Sequence, residues 1–316
     1  RDPEMSRGLG DVYKRQIIIP AYKARFLRET LDSILKQNSS EFIVYVGDDA
    51  SPENIEGLVH DYDEKLDIVY HRFSTNLGGV DLPGQWDRCI ALSNEPLVWL
   101  FSDDDIMPFD GVKRVMQAVE KYGDKLVCMR FPLMVIDACG NMKYQNPPFE
   151  TERISGYEFL LDKLSGKISS AACEYVFSRD VWKQIKGFVK FPFAWCSDDA
   201  TWASFADLTE GIISLPGRAV CWRNVEGENI SNSVGFDKEK LRATGLFFNW
   251  INRHYPCNLR DARLRKALEA YTHTILSCSV RGNFSLCDLV RLCYALGKID
   301  YVAALHLSLI HISEPT

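Results

Sequence analysis

Short β-branched runs alternate with stretches of helical periodicity along the first hundred residues. Ile17-Ile18-Ile19 ends at Pro20, which has no N–H to donate, as a buried strand would. Phe26, Leu27, Thr30, Leu31, Ile34 and Leu35 recur at helical spacing, and Glu41 to Gly47 (EFIVYVG) reads as a second buried strand running into Asp48-Asp49. Ser51-Pro52-Glu53-Asn54 predicts a second helix, with Ser51 as N-cap and Pro52 at its first position. Ile68-Val69-Tyr70 makes a third strand, Asn76-Leu-Gly-Gly a loop, Gln85 to Ser93 a helix, and Leu97 to Phe101 a fourth strand feeding Ser102-Asp103-Asp104-Asp105. This alternation predicts an α/β fold, with a mostly parallel sheet flanked by helices. Further on, Gly111 to Tyr122 reads as a helix, Leu126 to Val135 as one strand, and Asn146-Pro-Pro-Phe as a loop. From Lys238 onward the pattern is helical, around Leu241 to His254, Leu264 to Val280 and Leu286 to Leu296.

Composition narrows the classes. With 316 residues, 46% hydrophobic and 25% charged, the chain can bury a sizeable core, and disorder or a disulfide-stapled miniature fold is excluded. A net charge of -6 argues against nucleic acid as a partner. The ten cysteines form no C-x-x-C pair and read as reduced core thiols. No stretch reaches the ~18 apolar residues of a spanning helix, so the expected location is cytoplasmic, with the inner face of a membrane as a possible working surface. Residues 1–16 and 308–316 continue no pattern. They read as a non-native leader and tail resembling translated adaptor sequence, or as frayed natural ends.

Acidic residues follow two of the strands, and in open α/β sheets ligands bind outside the carboxyl ends of strands. Three adjacent charges at Asp103-Asp104-Asp105 are unfavourable unless a cation or proton offsets them. Oxygen-only ligands suit Mg2+ or Mn2+, which bind through one or two carboxylates while bridging substrate phosphates. The run would serve equally as a solvated acidic turn capping the next helix. Asp48-Asp49 would hold the base or ribose of a nucleotide, or cap the helix at Pro52. A phospho-accepting receiver-type pocket is a rival, but it expects a shorter chain and a Lys at another strand end.

Taken in order, IIIPAYKARFLRETLDSILKQ, YVGDDAS and LVWLFSDDDIMP resemble the opening strand and helix, the nucleotide-binding segment and the D-x-D metal motif of the family 2 inverting glycosyltransferases, which have the GT-A fold. The resemblance spans roughly Ile17 to Arg223 and implies a GT-A domain over 17–235 with a helical extension over 236–307. It implies that Pro20, Ala21 and Tyr22 line the nucleobase pocket, with an acidic residue of Asp48-Asp49 on the uracil or ribose. Asp103 and Asp105 would be the metal pair, although the run leaves the register open and Asp104 is the alternative ligand. Ala50 stands where the family often has Gly. Asn76 and Arg88 fall in a segment similar to the family's donor-side loop and helix, where Arg88 would approach the diphosphate or form a surface ion pair with Asp87 or Glu95.

Phe193 to Trp202 (FAWCSDDATW) is similar to the family's E-D segment, whose second carboxylate deprotonates the acceptor hydroxyl. This implies Asp199 as base, with Asp198 second; the alternative is an N-cap pair for a helix over Ala200 to Phe205. Trp195, Trp202 and Trp222 would stack on sugar or pack in the core. Cys221-Trp222-Arg223, then Glu228-Asn229-Ile230-Ser231, resembles a strand and loop closing over the diphosphate, where Arg223 would supply positive charge or a structural ion pair. His254 and His273 have no metal-ligand spacing. The resemblance therefore implies metal-dependent transfer from a nucleotide-sugar donor, UDP-linked, to a saccharide or lipid-linked acceptor in bacterial surface polysaccharide synthesis. The tail would pack on the catalytic domain, pair two copies as a homodimer or touch the membrane. A sugar-nucleotide pyrophosphorylase is the rival enzyme, but it expects a glycine-rich basic loop where Ala-Tyr-Lys-Ala stands; an inactive nucleotide-binding module is the other rival.

Overall fold

The structure, a computed structural model, describes residues 15–229, 233, 235–279, 284–300 and 304. The proposed leader up to residue 14, the tail, Ile230 and Ser231 lie outside them. Eleven strands form two sheets among these residues. They are β1 (Arg15–Ala21), β2 (Phe42–Asp48), β3 (Ile68–Arg72), β4 (Leu97–Leu100), β5 (Cys128–Arg130), β6 (Leu133–Ile136), β7 (Met142–Gln145), β8 (Arg153–Ile154), β9 (Tyr175–Ser178), β10 (Ile212–Ser214) and β11 (Val220–Arg223). The main sheet has the order β3-β2-β1-β4-β9-β5-β10-β8, and β11-β6-β7 make a small second sheet. In the main sheet pairing is parallel except that β9 runs against both β4 and β5, and β8 runs against β10; in the small sheet β11 and β6 are parallel and β7 runs against β6.

Helices α1 (Leu27–Leu35), α2 (Ile55–His60), α3 (Leu82–Ile90), α4 (Gly111–Tyr122), α5 (Gly156–Leu164), α6 (Arg179–Gln184) and α7 (Ser197–Leu208) alternate with the strands or follow them. Two local expectations change. Asn54, not Ser51, caps α2, by accepting from the Gly57 N–H; the Ser51 hydroxyl instead donates to the Tyr22 carbonyl at 2.6 Å. The single strand over 126–135 is two, because Pro132 interrupts the ladder and the chain passes from the main sheet at Arg130 to the small sheet at Leu133. The thiol expectation holds for Cys89, Cys128, Cys173 and Cys196, whereas Cys139, Cys257 and Cys287 are exposed.

One side of the main sheet packs Ile17, Ile19, Val44, Val46 and Trp99 against α1 and α4. The other side, with Ile18, Val98 and Phe177, shares one apolar cluster with Trp202 and Phe205 of α7 and with the tail helices α8 (Asp237–His254), α9 (Ala262–Thr274) and α10 (Leu286–Gly297). Phe247, Phe248, Ile251, Leu264, Leu268 and Leu292 belong to that cluster, so the extension completes the core and is no separate unit. No helix among the described residues is long and apolar enough to cross a membrane.

Helix α5 lies unusually close to α7. A Cβ on Gly156 would sit 2.6 Å from the Ala203 carbonyl oxygen and 2.7 Å from the Tyr255 hydroxyl. Gly156→Ala is therefore expected to destabilise the protein by about 1–3 kcal/mol through overpacking, read as a lower midpoint in urea unfolding; an unchanged midpoint would remove this close contact.

Candidate active site

The carboxyl ends of β1, β2 and β4 meet at one edge. Ala21 lies beside Asp48 in the β1–β2 register, and the Phe101 N–H donates to the Ile18 carbonyl at 2.8 Å. The β1–α1 loop then folds over the end of β4: the N–H groups of Tyr22 and Lys23 both donate to Asp103 Oδ2, at 2.7 and 2.8 Å. Segments 20–23, 48–51 and 103–105 thus form one contiguous rim. Pro20 is half-buried, Ala21 is buried, and Tyr22 is exposed.

The second-strand acids are held from within the protein. Asp48 is fully buried; it accepts from the Tyr70 hydroxyl and Arg72 at 2.6 Å each and from the Ser51 N–H at 2.7 Å. Asp49 accepts from the N–H groups of Leu77 and Gly78 at 2.7 and 2.8 Å and pairs with Arg88. Ala50 takes a left-handed φ of 54°, the backbone that glycine adopts without strain. The Arg88 guanidinium also donates to Gln85 and to the Thr75 carbonyl, and it stacks on Phe73. Its ion-pair partner is thus Asp49 rather than Asp87 or Glu95. Asn76 is exposed and turns its own loop, its Oδ1 accepting from the Gly79 N–H.

The three aspartates after β4 divide by their partners. Asp103 is taken by the two amides just described. Asp105 accepts from the Arg223 N–H at 2.8 Å through Oδ1, while its Oδ2 is buried without a hydrogen-bond partner. Among the described residues the Asp104 carboxylate has no hydrogen-bond partner, and it lies half-buried between the other two. Burial pushes all three carboxyls up: Asp105 to about 6, and Asp104 well above its ordinary range, the charges of Asp105 and Asp103 adding to burial there. A crowded, partly desolvated carboxylate of this kind needs a proton or a cation.

The Arg223 side chain is engaged inside the fold, which fits the structural ion pair of the two readings. It donates to the carbonyls of Asp104, Asp137 and Ala138, pairs with Glu29 at 2.6 Å, and lies over the Phe26 ring. The loop after β11 is tied back as well, since Glu228 pairs with Lys23 and Arg25.

Strand β9 connects the end of β4 with α7, the helix that carries the acid pair at 198–199. Because β9 runs against β4, its leading segment, a 3-10 turn at Ala172–Glu174, lies at the carboxyl end of β4. The Trp99 indole N–H donates to the Cys173 carbonyl at 2.8 Å, and Asp105 and Asp104 add to burial in raising the Cys173 thiol. On its other side, Tyr175 stacks on Trp202 of α7 with ring centroids 4.3 Å apart. Trp202 is therefore a core residue. Asp198 and Asp199 lie in the first turn of α7 and do not cap it; Cys196 is the N-cap residue.

Within the pair the two carboxylates differ. Asp199 is buried and bonded to Lys163 Nζ at 2.8 Å, with its Oδ1 buried and unpartnered. Asp198 is partly exposed, and burial together with the charge of Asp199 pushes its carboxyl up to about 7. Trp195 and Trp222 are half-buried, Trp195 beside Lys240 and Trp222 against the core. Beside α5, a cleft of about 220 Å³ is lined by Arg130, Phe149, Arg153, Glu158, Asp162 and Lys167, and by neither Asp198 nor Asp199.

Sequence reasoning missed Lys163, Cys173 and the buried Arg130–Glu174 pair (3.2 Å). The Ser155 cap and the apolar spacing of Tyr157, Leu160, Leu161 and Leu164 could have revealed α5, but nothing local sets its last Lys opposite Asp199. If Arg223 is a tie within the fold, Arg223→Met should orphan buried carbonyls at about 1–3 kcal/mol each; urea unfolding should show the loss, and a fully stable variant would deny that role.

The sequence matches the model of glycosyl transferase family 2 over residues 16–180. No curated protein matches the chain. Among solved structures, S. aureus TarS 1-349 in complex with UDP-GlcNAc is similar, with 18% identity and a TM-score of 0.67 over 94% of this chain and 83% of that one. The same protein in complex with UDP gives 18% and 0.62 over 90% and 80%. The mannosyltransferase PcManGT from Pyrobaculum calidifontis in complex with GDP-Man and Mn2+ gives 15% and 0.50 over 95% and 88%. At such identities the likeness is one of fold, the GT-A arrangement of a mostly parallel sheet between helices. The family match covers more than half of the sequence and includes the strand-end rim from Pro20 to Asp105; the chain belongs to glycosyl transferase family 2 and is a glycosyltransferase.

Proposed function

We propose that the chain moves a sugar from a UDP-linked donor to a hydroxyl of a saccharide or lipid-linked saccharide, with inversion and with Mg2+ or Mn2+. One observation carries the reading: a carboxylate without a hydrogen-bond partner among the described residues, Asp104, sits between two others at the strand-end rim, and a second acid pair, Asp198-Asp199, opens α7. The donors in the TarS and PcManGT complexes, UDP-GlcNAc and GDP-Man, support a nucleotide-linked sugar.

Among the described residues no three His, Cys, Asp or Glu side chains form a ready-made metal cage. A hard divalent ion takes one or two carboxylates from the protein and the rest of its shell from phosphate and water. Asp104 would hold it, with the free Asp105 Oδ2 behind. Asp103 is already bonded to Tyr22 and Lys23, so this reading moves the pair one residue along from 103 and 105. When bound, the ion neutralises charge on the departing diphosphate.

The acceptor oxygen attacks the anomeric carbon as the bond to the diphosphate breaks, and its proton passes to the acid pair. Asp198 is the better base: it is partly exposed and ionises near neutral pH, where a base both is available and holds the proton well. Asp199, expected first, is bonded to Lys163 and faces inward. The cleft beside α5 offers carboxylates, cations and the Phe149 ring, a lining suited to sugar hydroxyls and C–H faces.

Calorimetry of UDP binding is expected to show Mn2+-dependent affinity that weakens at least ~10-fold in Asp104→Asn; equal affinity would take Asp104 out of the metal site. Asp198→Asn should lower release of UDP from UDP-sugars by about 10²–10⁴-fold while leaving UDP binding intact, and wild-type turnover should fall as pH drops below about 7. Full turnover by Asp198→Asn would exclude it as the base, and no turnover by the wild type would favour a binding module.

A further inference from the structure

A charged lysine inside the α5–α7 contact needs a reason to be there. Lys163 ends α5 with its side chain 20% exposed, and its Nζ lies 2.8 Å from Asp199 Oδ2, itself 5% exposed. A buried ion pair is weak evidence for stability, since desolvation of both charges can exceed their attraction and an apolar pair often packs as well. The surroundings do not neutralise it in any simpler way. Facing the pair are Cys196 at the N-cap of α7, Tyr175 of β9, Glu174 in the preceding turn and Tyr271 of α9, with Asp198 next in sequence. Of these groups, Lys163 is the cation, Arg130 being engaged with Glu174.

Remove Lys163 and the two aspartates face only each other and neutral or acidic groups. One of them would then keep its proton well past neutrality, as adjacent carboxylates do when no cation separates their roles. With Lys163 present the roles are divided. Asp199 is bonded and turned inward, which leaves Asp198 as the member open to solvent. Burial works against the charge of Lys163, but Asp199 and Asp198 more than offset this and hold its amino group above its ordinary range, so the cation persists across neutral pH.

We propose that Lys163 is a positioning residue of the transfer reaction: by holding Asp199 in an ion pair across the α5–α7 contact, it divides the labour of the acid pair and sets Asp198 free to take the acceptor proton. This rests on the reading of Asp198-Asp199 as the acceptor-side base. Lys163 does not touch substrate; it acts through Asp199. The close approach enforced at Gly156 serves the same end, since a wider α5–α7 spacing would let water between Nζ and the carboxylate.

Carboxyl ¹³C NMR of the full chain, without donor, follows the pair directly, and its two steps belong to the pair as a unit. In the wild type the upper step of the pair is expected near 7. In Lys163→Met and Lys163→Gln the proton affinity of that step should rise at least ~10-fold, one pH unit or more; in Lys163→Arg it should return to within about twofold, because the charge is kept. The acid limb of UDP release should shift by the same amount in the same direction. An upper step unmoved in both neutral variants overturns the proposal. If neither neutral variant folds, the wild type still decides, since an Asp198 that titrates in the ordinary carboxylate range overturns it too. A wild type that releases no UDP while the titration shifts as expected would defeat the transferase reading and leave the ion-pair chemistry standing.

Discussion

Negative charge gathered where water is scarce governs this molecule. Bringing carboxylates together at the end of a sheet raises their proton affinity, and each must meet an amide, a cation or a proton. The fold answers differently at each position. Tyr22 and Lys23 offer backbone N–H groups to Asp103; Arg72, Tyr70 and the Ser51 amide surround Asp48; Arg88 and two loop amides hold Asp49; Lys163 holds Asp199. Among the described residues, the acids of the rim and of the 198–199 pair that lack a full set of partners are Asp104, one oxygen of Asp105, one oxygen of Asp199 and the partly exposed Asp198; Glu95 and Asp110 each leave one buried oxygen without a hydrogen bond elsewhere in the fold.

The strand–helix alternation was legible because parallel strands buried on both faces are written as continuous β-branched runs, and Ile17-Ile18-Ile19 and EFIVYVG leave little room for another assignment. The acids were legible for the same reason, since the runs of β2 and β4 lead directly into them. Partners were not. Whether Asp104 or its neighbours has a free carboxylate depends on which amides of the β1–α1 loop reach over, 81 residues away in the case of Tyr22. Arg223 carried two readings in the sequence, and only its contacts with Glu29 and three carbonyls separate them. Pro132 could have announced the break between β5 and β6, but an apolar stretch on both sides concealed it. Between residues 150 and 190 the periodicities are short, so α5, β9 and Lys163 were invisible as a group.

The C-terminal helices show a change of sequence pattern within a shared core. The shift to helical periodicity near residue 236 is real, yet Phe247, Phe248, Leu264 and Leu292 lie in the same apolar cluster as Trp202 and Phe177. Tyr271 of α9 reaches Cys196 at the start of α7, with 3.0 Å between its hydroxyl and the thiol sulfur. The tail thus backs the helix that presents the acid pair, and its packing bears on the chemistry although it supplies no reacting group.

The reversed strand β9 acts as a ruler. It is laddered to β4 on one flank and to β5 on the other, while its leading segment touches the aspartates after β4 and Tyr175 grips the helix of the acid pair through Trp202. On the proposed reading, β9 therefore links the leaving-group end to the proton-accepting end, by main-chain pairing with β4 on one side and by the Tyr175–Trp202 stack on the other. Side-chain exchange in the surrounding loops can remodel which sugar is admitted without altering that span.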